Sequence, residues 1–177
     1  EIISTLADRD SVQTTQNLHH HGEFAELVEA INASAENVLQ YLAVDHEGFE
    51  ISGCWANIGG PNSSHVAHHH SNNFLSGVYY VCAPEGGNAI TFHDPRFQVE
   101  QIVPRIKIHN AHNSTAHTLT VKPGQLLMFP AWLVHSVPPN ASPDIRISIS
   151  FNIIFSKFNE RVAPPRWTGV AYKGLIS

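Results

Sequence analysis

Apolar residues recur at three- and four-residue intervals between residues 23 and 43, a pattern that predicts an amphipathic helix. The positions concerned are Phe24, Leu27, Val28, Ile31, Ala35, Val38, Leu39 and Leu42. Ser34 interrupts the middle of this stretch, so two shorter helices are the alternative. We expect the apolar stripe to pack on the outer face of a sheet, and a partner-binding helix is the less favoured interpretation.

Beyond residue 46 the pattern becomes one of short strands, alternating or continuously apolar, with turns between them. The turn at residues 83–88, which contains Gly86-Gly87, is predicted to close a hairpin. The predicted strands cover residues 49–58, 75–82, 89–93, 117–121, 125–129 and 146–152, and His135 lies on a short strand of its own.

The strand at residues 146–152 alternates strictly, so that its polar residues share one face and its apolar residues the other. Arg146, Ser148, Ser150 and Asn152 form the polar face. Apolar residues follow at 153–155, which indicates a strand inside a sandwich rather than at its surface. A buried Arg146 would need a partner, and a ligand carboxylate gripped in bidentate fashion is one such partner.

Composition favours a compact β protein, because 42% of the residues are hydrophobic and only 14% are charged. We predict a single domain over residues 1–177, with a helical lead-in (1–45), a β core (46–155) and a C-terminal wrap (156–177). The net charge of −5 and the lack of a basic patch argue against nucleic acid as a partner. Because no run of 18 apolar residues occurs, we expect no membrane span.

Histidine is the candidate chemistry, with 13 residues in the chain. His68 and His70 are two apart on a segment that is predicted to be extended, so their imidazoles would face the same way and form half of a metal site. Ordinary polar residues in a solvated turn are the alternative. His135, far along the chain, strengthens the metal interpretation. Cys54 and Cys82 are expected to be buried thiols of a cytoplasmic protein.

Five motifs in order resemble the Fe(II)- and 2-oxoglutarate-dependent oxygenases, and more narrowly the oxygenase family often found in phage and marine bacterial genomes. They extend over roughly residues 50–155. The motifs are His68-His69-His70, residues 75–81, Asp94-Pro95-Arg96, residues 129–137 and residues 146–152.

This resemblance implies a double-stranded β-helix, the cupin-like jelly roll, with the N-terminal helix packed outside and a metal between two sheets. It places His68 and His135 on the metal-binding histidines of the superfamily. It also places Arg146 and Ser148 on the pair that binds the distal carboxylate of 2-oxoglutarate, and Tyr80 on a tyrosine that hydrogen-bonds the same co-substrate.

One position departs from the superfamily pattern of His-x-Asp or His-x-Glu, because the second slot is His70. The metal would then have three histidine ligands, or a carboxylate would come from elsewhere in the chain. Asp94 is the best candidate for such a carboxylate ligand. We favour His68, His70 and His135 as the ligand set. A neutral third ligand would leave the site one charge more positive.

The resemblance therefore implies an Fe(II)- and 2-oxoglutarate-dependent dioxygenase that hydroxylates a small molecule or peptide. One alternative is a three-histidine cupin-type dioxygenase that needs no 2-oxoglutarate. Another is a non-enzymatic metal-binding β-sandwich. Residues 97–116 are our candidate for a lid over the site, with an ordinary surface excursion as the alternative. The oligomeric state stays open, and a homodimer is one alternative.

Overall fold

The computed structural model describes residues 11–96, 102, 104–110 and 112–157. Three sequence-based predictions fall wholly or partly on the other positions. Residues 1–10 of the helical lead-in and residues 158–177 of the C-terminal wrap lie outside the described residues. So do residues 97–101, 103 and 111 of the candidate lid, and these predictions therefore stay predictions.

One α-helix, two 3₁₀ turns (Leu18–His20 and Gly22–Phe24) and nine strands make up the part of the chain that the structure describes. The helix α1 spans Ala25–Tyr41. The strands are β1 (Ser11–Gln13), β2 (Phe49–Gly59), β3 (His65–His68), β4 (Leu75–Cys82), β5 (Ala89–His93), β6 (Ala116–Thr120), β7 (Leu126–Pro130), β8 (His135–Val137) and β9 (Arg146–Phe155).

The helix α1 is continuous, so the alternative of two shorter helices is wrong. Ser34 is accommodated because its hydroxyl donates a hydrogen bond of 2.7 Å to the carbonyl of Ala30, one turn earlier. The predicted apolar stripe is confirmed, since Ile31, Ala35 and Leu39 are the fully buried residues of this helix.

Two antiparallel sheets form the β core. The larger has the strand order β1-β2-β9-β4-β7, and the smaller has the order β3-β8-β5-β6. Residues of both sheets line one cavity, so the sheets face each other. This confirms the jelly-roll arrangement that the family resemblance implies. The predicted hairpin at 83–88 is wrong, because β4 and β5 belong to different sheets and the turn carries the chain between them.

The larger sheet is covered on both faces. On its outer face, Ile149, Phe151 and Ile153 of β9 pack in one apolar cluster with the buried stripe of α1. On its inner face, Val78 and Tyr80 of β4 belong to a second cluster that includes Ile90 of the smaller sheet. Strand β9 is therefore interior, as its sequence predicts, and its polar face is turned toward the inside of the molecule.

In the described ranges, no helix combines the length and apolar character needed to cross a membrane. Cys54 and Cys82 are both free thiols, the first buried and the second half-buried.

Candidate metal centre

Three histidines converge inside the jelly roll. His68, His70 and His135 each offer one ligand atom, and these atoms all lie within 4.8 Å of one another. The ring centroids are 4.4 Å apart for His68 and His135, and 5.2 Å apart for His70 and His135. Among the described residues this is the group of histidine, cysteine and acidic side chains that could hold a metal ion.

Strand pairing brings the two distant parts of the chain together. Strands β3 and β8 are antiparallel neighbours, and His68 lies opposite His135 in their register. His70 lies two residues beyond the end of β3, so the strand contains only the first of these two histidines. A hydrogen bond of 2.9 Å from the amide of His70 to the carbonyl of Ala131 holds it beside the others.

The orientation of two rings is set by backbone carbonyls. Nδ1 of His68 is 2.7 Å from the carbonyl oxygen of Val66, and Nδ1 of His135 is 2.9 Å from that of Leu133. Because a carbonyl oxygen only accepts, each Nδ1 carries the proton and donates it. Nε2 of each ring is then left with its lone pair, which is the arrangement that metal-binding histidines use.

The environment also favours the neutral form of His70 and His135. Burial, with smaller contributions from the neighbouring histidines, lowers the pKa of His70 to about 4. Burial is likewise the largest cause that lowers the pKa of His135, which is only 5% exposed. Since metal binding requires the neutral ring, the lowered pKa values of His70 and His135 favour the binding of a cation by these two residues.

A fourth histidine reaches the same cavity, and the sequence analysis missed it. His65 and His68 both line the cavity, although they are three positions apart and strict alternation would place them on opposite faces. The register between β3 and β8 shifts between these two residues, which marks a β-bulge, and a bulge re-aims a side chain that strict alternation would turn outward. The spacing alone carries no signal of this bulge.

Arg146 enters the cavity from the first residue of β9. It is 5% exposed, and burial lowers its pKa. Its guanidinium donates to three backbone carbonyls, those of Ser63, Gly87 and Pro138, at 3.3–3.5 Å. Within the described part of the chain, none of its hydrogen bonds goes to a carboxylate. A buried cation held only by neutral acceptors can take an anionic ligand.

Ser148 and Tyr80 line the cavity near Arg146. They lie opposite each other in the register of β9 and β4, and both are buried. Burial raises the pKa of Tyr80, so that its hydroxyl is protonated and able to donate a hydrogen bond. The structure thus gathers all six predicted site residues around one cavity.

The cavity has a volume of about 70 Å³, and one wall is a chain of amides and hydroxyls. Nε2 of Gln13 donates to Oδ1 of Asn57 at 2.8 Å, and Nδ2 of Asn57 donates to Oγ of Ser150 at 2.9 Å. Its lining residues are Gln13, Trp55, Asn57, His65, His68, His70, Gly77, Val78, Tyr80, Ile90, Phe129, His135, Val137, Arg146, Ser148 and Ser150.

Asp94, the alternative metal ligand, lies in a different environment. Nε and Nη2 of Arg96 donate to its two carboxylate oxygens at 2.9 and 2.6 Å. These hydrogen bonds are the largest cause that lowers the pKa of Asp94 to about 2. Its carboxylate does not belong to the group of converging ligand atoms.

Comparison with known proteins gives a family and a fold. The family model described as "Putative 2OG-Fe(II) oxygenase" matches residues 53–152, which is more than half of the chain. The matched segment contains all six residues discussed above. No curated protein sequence matches this chain.

Solved structures of 2-oxoglutarate-dependent enzymes share the fold. The epimerase SnoN from nogalamycin biosynthesis aligns with a TM-score of 0.59 at 14% identity, over 87% of this chain and 70% of its own. A prolyl-4-hydroxylase of Pseudomonas putida gives 0.56 at 15%, over 82% and 71%. The viral collagen prolyl hydroxylase of Paramecium Bursaria Chlorella virus-1, solved with 2OG, gives 0.56 at 17%, over 88% and 85%. Identities this low support the jelly-roll fold alone.

Proposed function

The chain belongs to the 2OG-Fe(II) oxygenase family, with Fe(II) and 2-oxoglutarate as its cofactors, and we propose that the cavity between its two sheets is the site that binds both. His68, His70 and His135 are the proposed Fe(II) ligands. Arg146, Ser148 and Tyr80 are the proposed binding residues for the distal carboxylate of 2-oxoglutarate.

One observation carries this proposal: three imidazoles line the same cavity as a buried guanidinium, which within the described residues donates only to backbone carbonyls. Imidazole is a ligand that suits iron, and a guanidinium matches a carboxylate with two parallel hydrogen bonds. The site therefore offers one binding group to each cofactor. With His70 in place of a carboxylate, the three protein ligands add no negative charge to that of the ion.

Bound Fe(II) and 2-oxoglutarate supply the oxidation chemistry, in which one atom of oxygen enters succinate and the other enters the substrate while carbon dioxide leaves. The protein binds the metal and the co-substrate, orients them, and shields them from water. Arg146 neutralises the distal carboxylate, and the protonated Tyr80 donates to it. Val78, Ile90 and Phe129 of the inner apolar cluster line the cavity. Apolar walls restrict the access of water, which strengthens the charged interactions inside.

Two alternatives from the sequence analysis predict different behaviour. A three-histidine dioxygenase without 2-oxoglutarate would have no carboxylate of that co-substrate for Arg146 to bind. A non-enzymatic metal protein would catalyse no reaction. The family match favours the 2-oxoglutarate-dependent reaction. We propose a small molecule or a peptide as the substrate. A cytoplasmic location is a further proposal, and the two free cysteines support it.

The test is metal and co-substrate analysis of protein purified without oxygen. We expect about one Fe(II) per chain and succinate formation that requires both 2-oxoglutarate and oxygen. His135→Ala should lose most of the iron, because the remaining two imidazoles cannot complete the ligand set. His69→Ala is the matched control, since His69 is exposed and outside the converging group.

Iron that stays at the wild-type level in His135→Ala would rule out the ligand set. Oxygen consumption without 2-oxoglutarate would support the second mechanism, and metal binding without any turnover of oxygen would support the non-enzymatic alternative.

A further inference from the structure

The guanidinium of Arg146 is held by three loops at once. Nη2 donates to the carbonyl of Ser63, and Nη1 donates to those of Gly87 and Pro138. These carbonyls come from the β2–β3, β4–β5 and β8–β9 connections respectively, and we call them the carbonyl cradle. At 3.3–3.5 Å each bond is long, so the position of the guanidinium depends on all three loops keeping their places.

Asn140 connects two of these loops from the inside. It is fully buried in the β8–β9 connection. Its backbone amide donates to the carbonyl of Ser63 at 2.9 Å, the same oxygen that Arg146 uses. Its side-chain Nδ2 donates to the carbonyls of Gly60 at 3.2 Å and Asp144 at 2.8 Å. Both N–H groups of the side-chain amide therefore donate to carbonyls.

The third loop packs against the same side chain. A Cβ added at Gly87 would overlap Oδ1 of Asn140, so the glycine lets this loop come close enough for its carbonyl to reach the guanidinium. The amide of Ala141, the next residue, donates to the carbonyl of Gly86 at 3.0 Å. Asn140 is thus in direct contact with all three connections that form the carbonyl cradle.

We infer that Asn140 is the positioning residue for Arg146: it fixes the carbonyl cradle and thereby the distance between the guanidinium and the histidine cluster. Asn140 itself does not line the cavity. This inference rests on the proposed function, since a fixed distance matters only if one ligand spans both groups. The distance then selects a dicarboxylate of one length, which for 2-oxoglutarate is a five-carbon chain.

The test measures binding of 2-oxoglutarate, and of 2-oxoadipate with one more methylene, to nickel-loaded protein by calorimetry. Nickel suits imidazole ligands and avoids turnover. Asn140→Ala removes the bridging amide, and Gly87→Ala pushes the β4–β5 loop away from it. Each should weaken 2-oxoglutarate binding by about tenfold or more, because a displacement of about 1 Å has effects of that order. Each should also reduce the preference for 2-oxoglutarate over 2-oxoadipate, with nickel affinity unchanged.

Ser142→Ala is the matched control. It removes a buried hydroxyl that accepts from the amide of Asp144 at 3.1 Å, a bond confined to the β8–β9 loop. It should leave both the affinity and the length preference unchanged. If Asn140→Ala does not fold, Gly87→Ala decides the question.

Folded Asn140 and Gly87 variants with wild-type affinity and length preference would overturn the inference alone. An equal loss in Ser142→Ala would overturn it as well, because general loosening of the loop would then be sufficient. Wild-type protein that binds nickel but no 2-oxoglutarate would overturn the proposed function and this inference with it.

Discussion

Replacement of Arg146 by alanine should separate co-substrate binding from metal binding. Arg146 is 5% exposed, so a carboxylate bound to it is largely shielded from water. A hydrogen bond to a charged group contributes about 1.5–3 kcal/mol, and a bidentate pair has two. The expected loss is therefore about 3–6 kcal/mol. At about 1.4 kcal/mol per factor of ten, the Kd for 2-oxoglutarate should rise by roughly 10²–10⁴.

A thermal melt with added 2-oxoglutarate measures this effect. At a ligand concentration of about 100 times Kd, the metal-loaded wild type should gain about 2.7 kcal/mol. For a chain of this size, that corresponds to an increase in Tm of roughly 5–10 °C. At the same concentration Arg146→Ala should show an increase of at most about 1–2 °C. Its metal content should match the wild type because Arg146 is not in the histidine cluster.

Arg146→Lys is the informative control. Lysine keeps the positive charge but presents a point charge rather than a planar fork, so it should recover only part of the affinity. The reasoning is refuted if Arg146→Ala still binds 2-oxoglutarate within threefold of the wild type. Loss of metal in this variant would show that Arg146 supports the metal centre instead.

Two further predictions concern packing. In Gly77→Ala the new methyl group would overlap the ring of Phe151 on the neighbouring strand. The free energy of unfolding should therefore fall by about 1–3 kcal/mol. A denaturant melt should show this as a lower midpoint with an unchanged slope. Burial raises the pKa of Cys54 to about 11, and the residue is 1% exposed. Iodoacetamide at pH 8 should therefore alkylate the half-buried Cys82 in the native protein, and Cys54 only after unfolding, as mass spectrometry can measure.

The Gly77 prediction has a matched control variant, and Cys82 serves as the internal comparison for Cys54. Gly22→Ala should leave the midpoint nearly unchanged, because a Cβ there meets no atom within 4 Å. An unchanged midpoint in Gly77→Ala would mean that β4 and β9 are more loosely packed than the structure indicates. Rapid labelling of Cys54 at the rate of Cys82 would show that the outer face of the sheet opens in the native state.

Periodicity predicted the elements that surround the site. The stripe of α1 recurs at helical spacing, and its residues are the ones buried against β9. The strict alternation from Arg146 to Asn152 predicted a polar face, and the apolar residues 153–155 predicted an interior strand. No residue of β9 is exposed. Such patterns reflect only the geometry of one helix or one strand, which is why a single segment is enough to detect them.

Other features depended on how separate segments meet. The approach of His68 to His135 required the pairing of β3 with β8, and the entry of His65 into the cavity required a bulge in that pairing. The turn at 83–88 looked like a hairpin because local turn chemistry is the same whether a chain returns to its own sheet or crosses to another.

The residue types that could bind a cation and a dicarboxylate were readable along the chain, because imidazole and guanidinium keep their chemistry wherever they lie. The surroundings of Arg146 could not be predicted from the sequence. Its three partners are backbone carbonyls, which every residue has, so no residue type in the sequence indicates them. An asparagine in a predicted loop likewise gives no sign that its side-chain amide is buried. Their position arises only when three loops from both sheets pack together, and that contact belongs to the folded molecule.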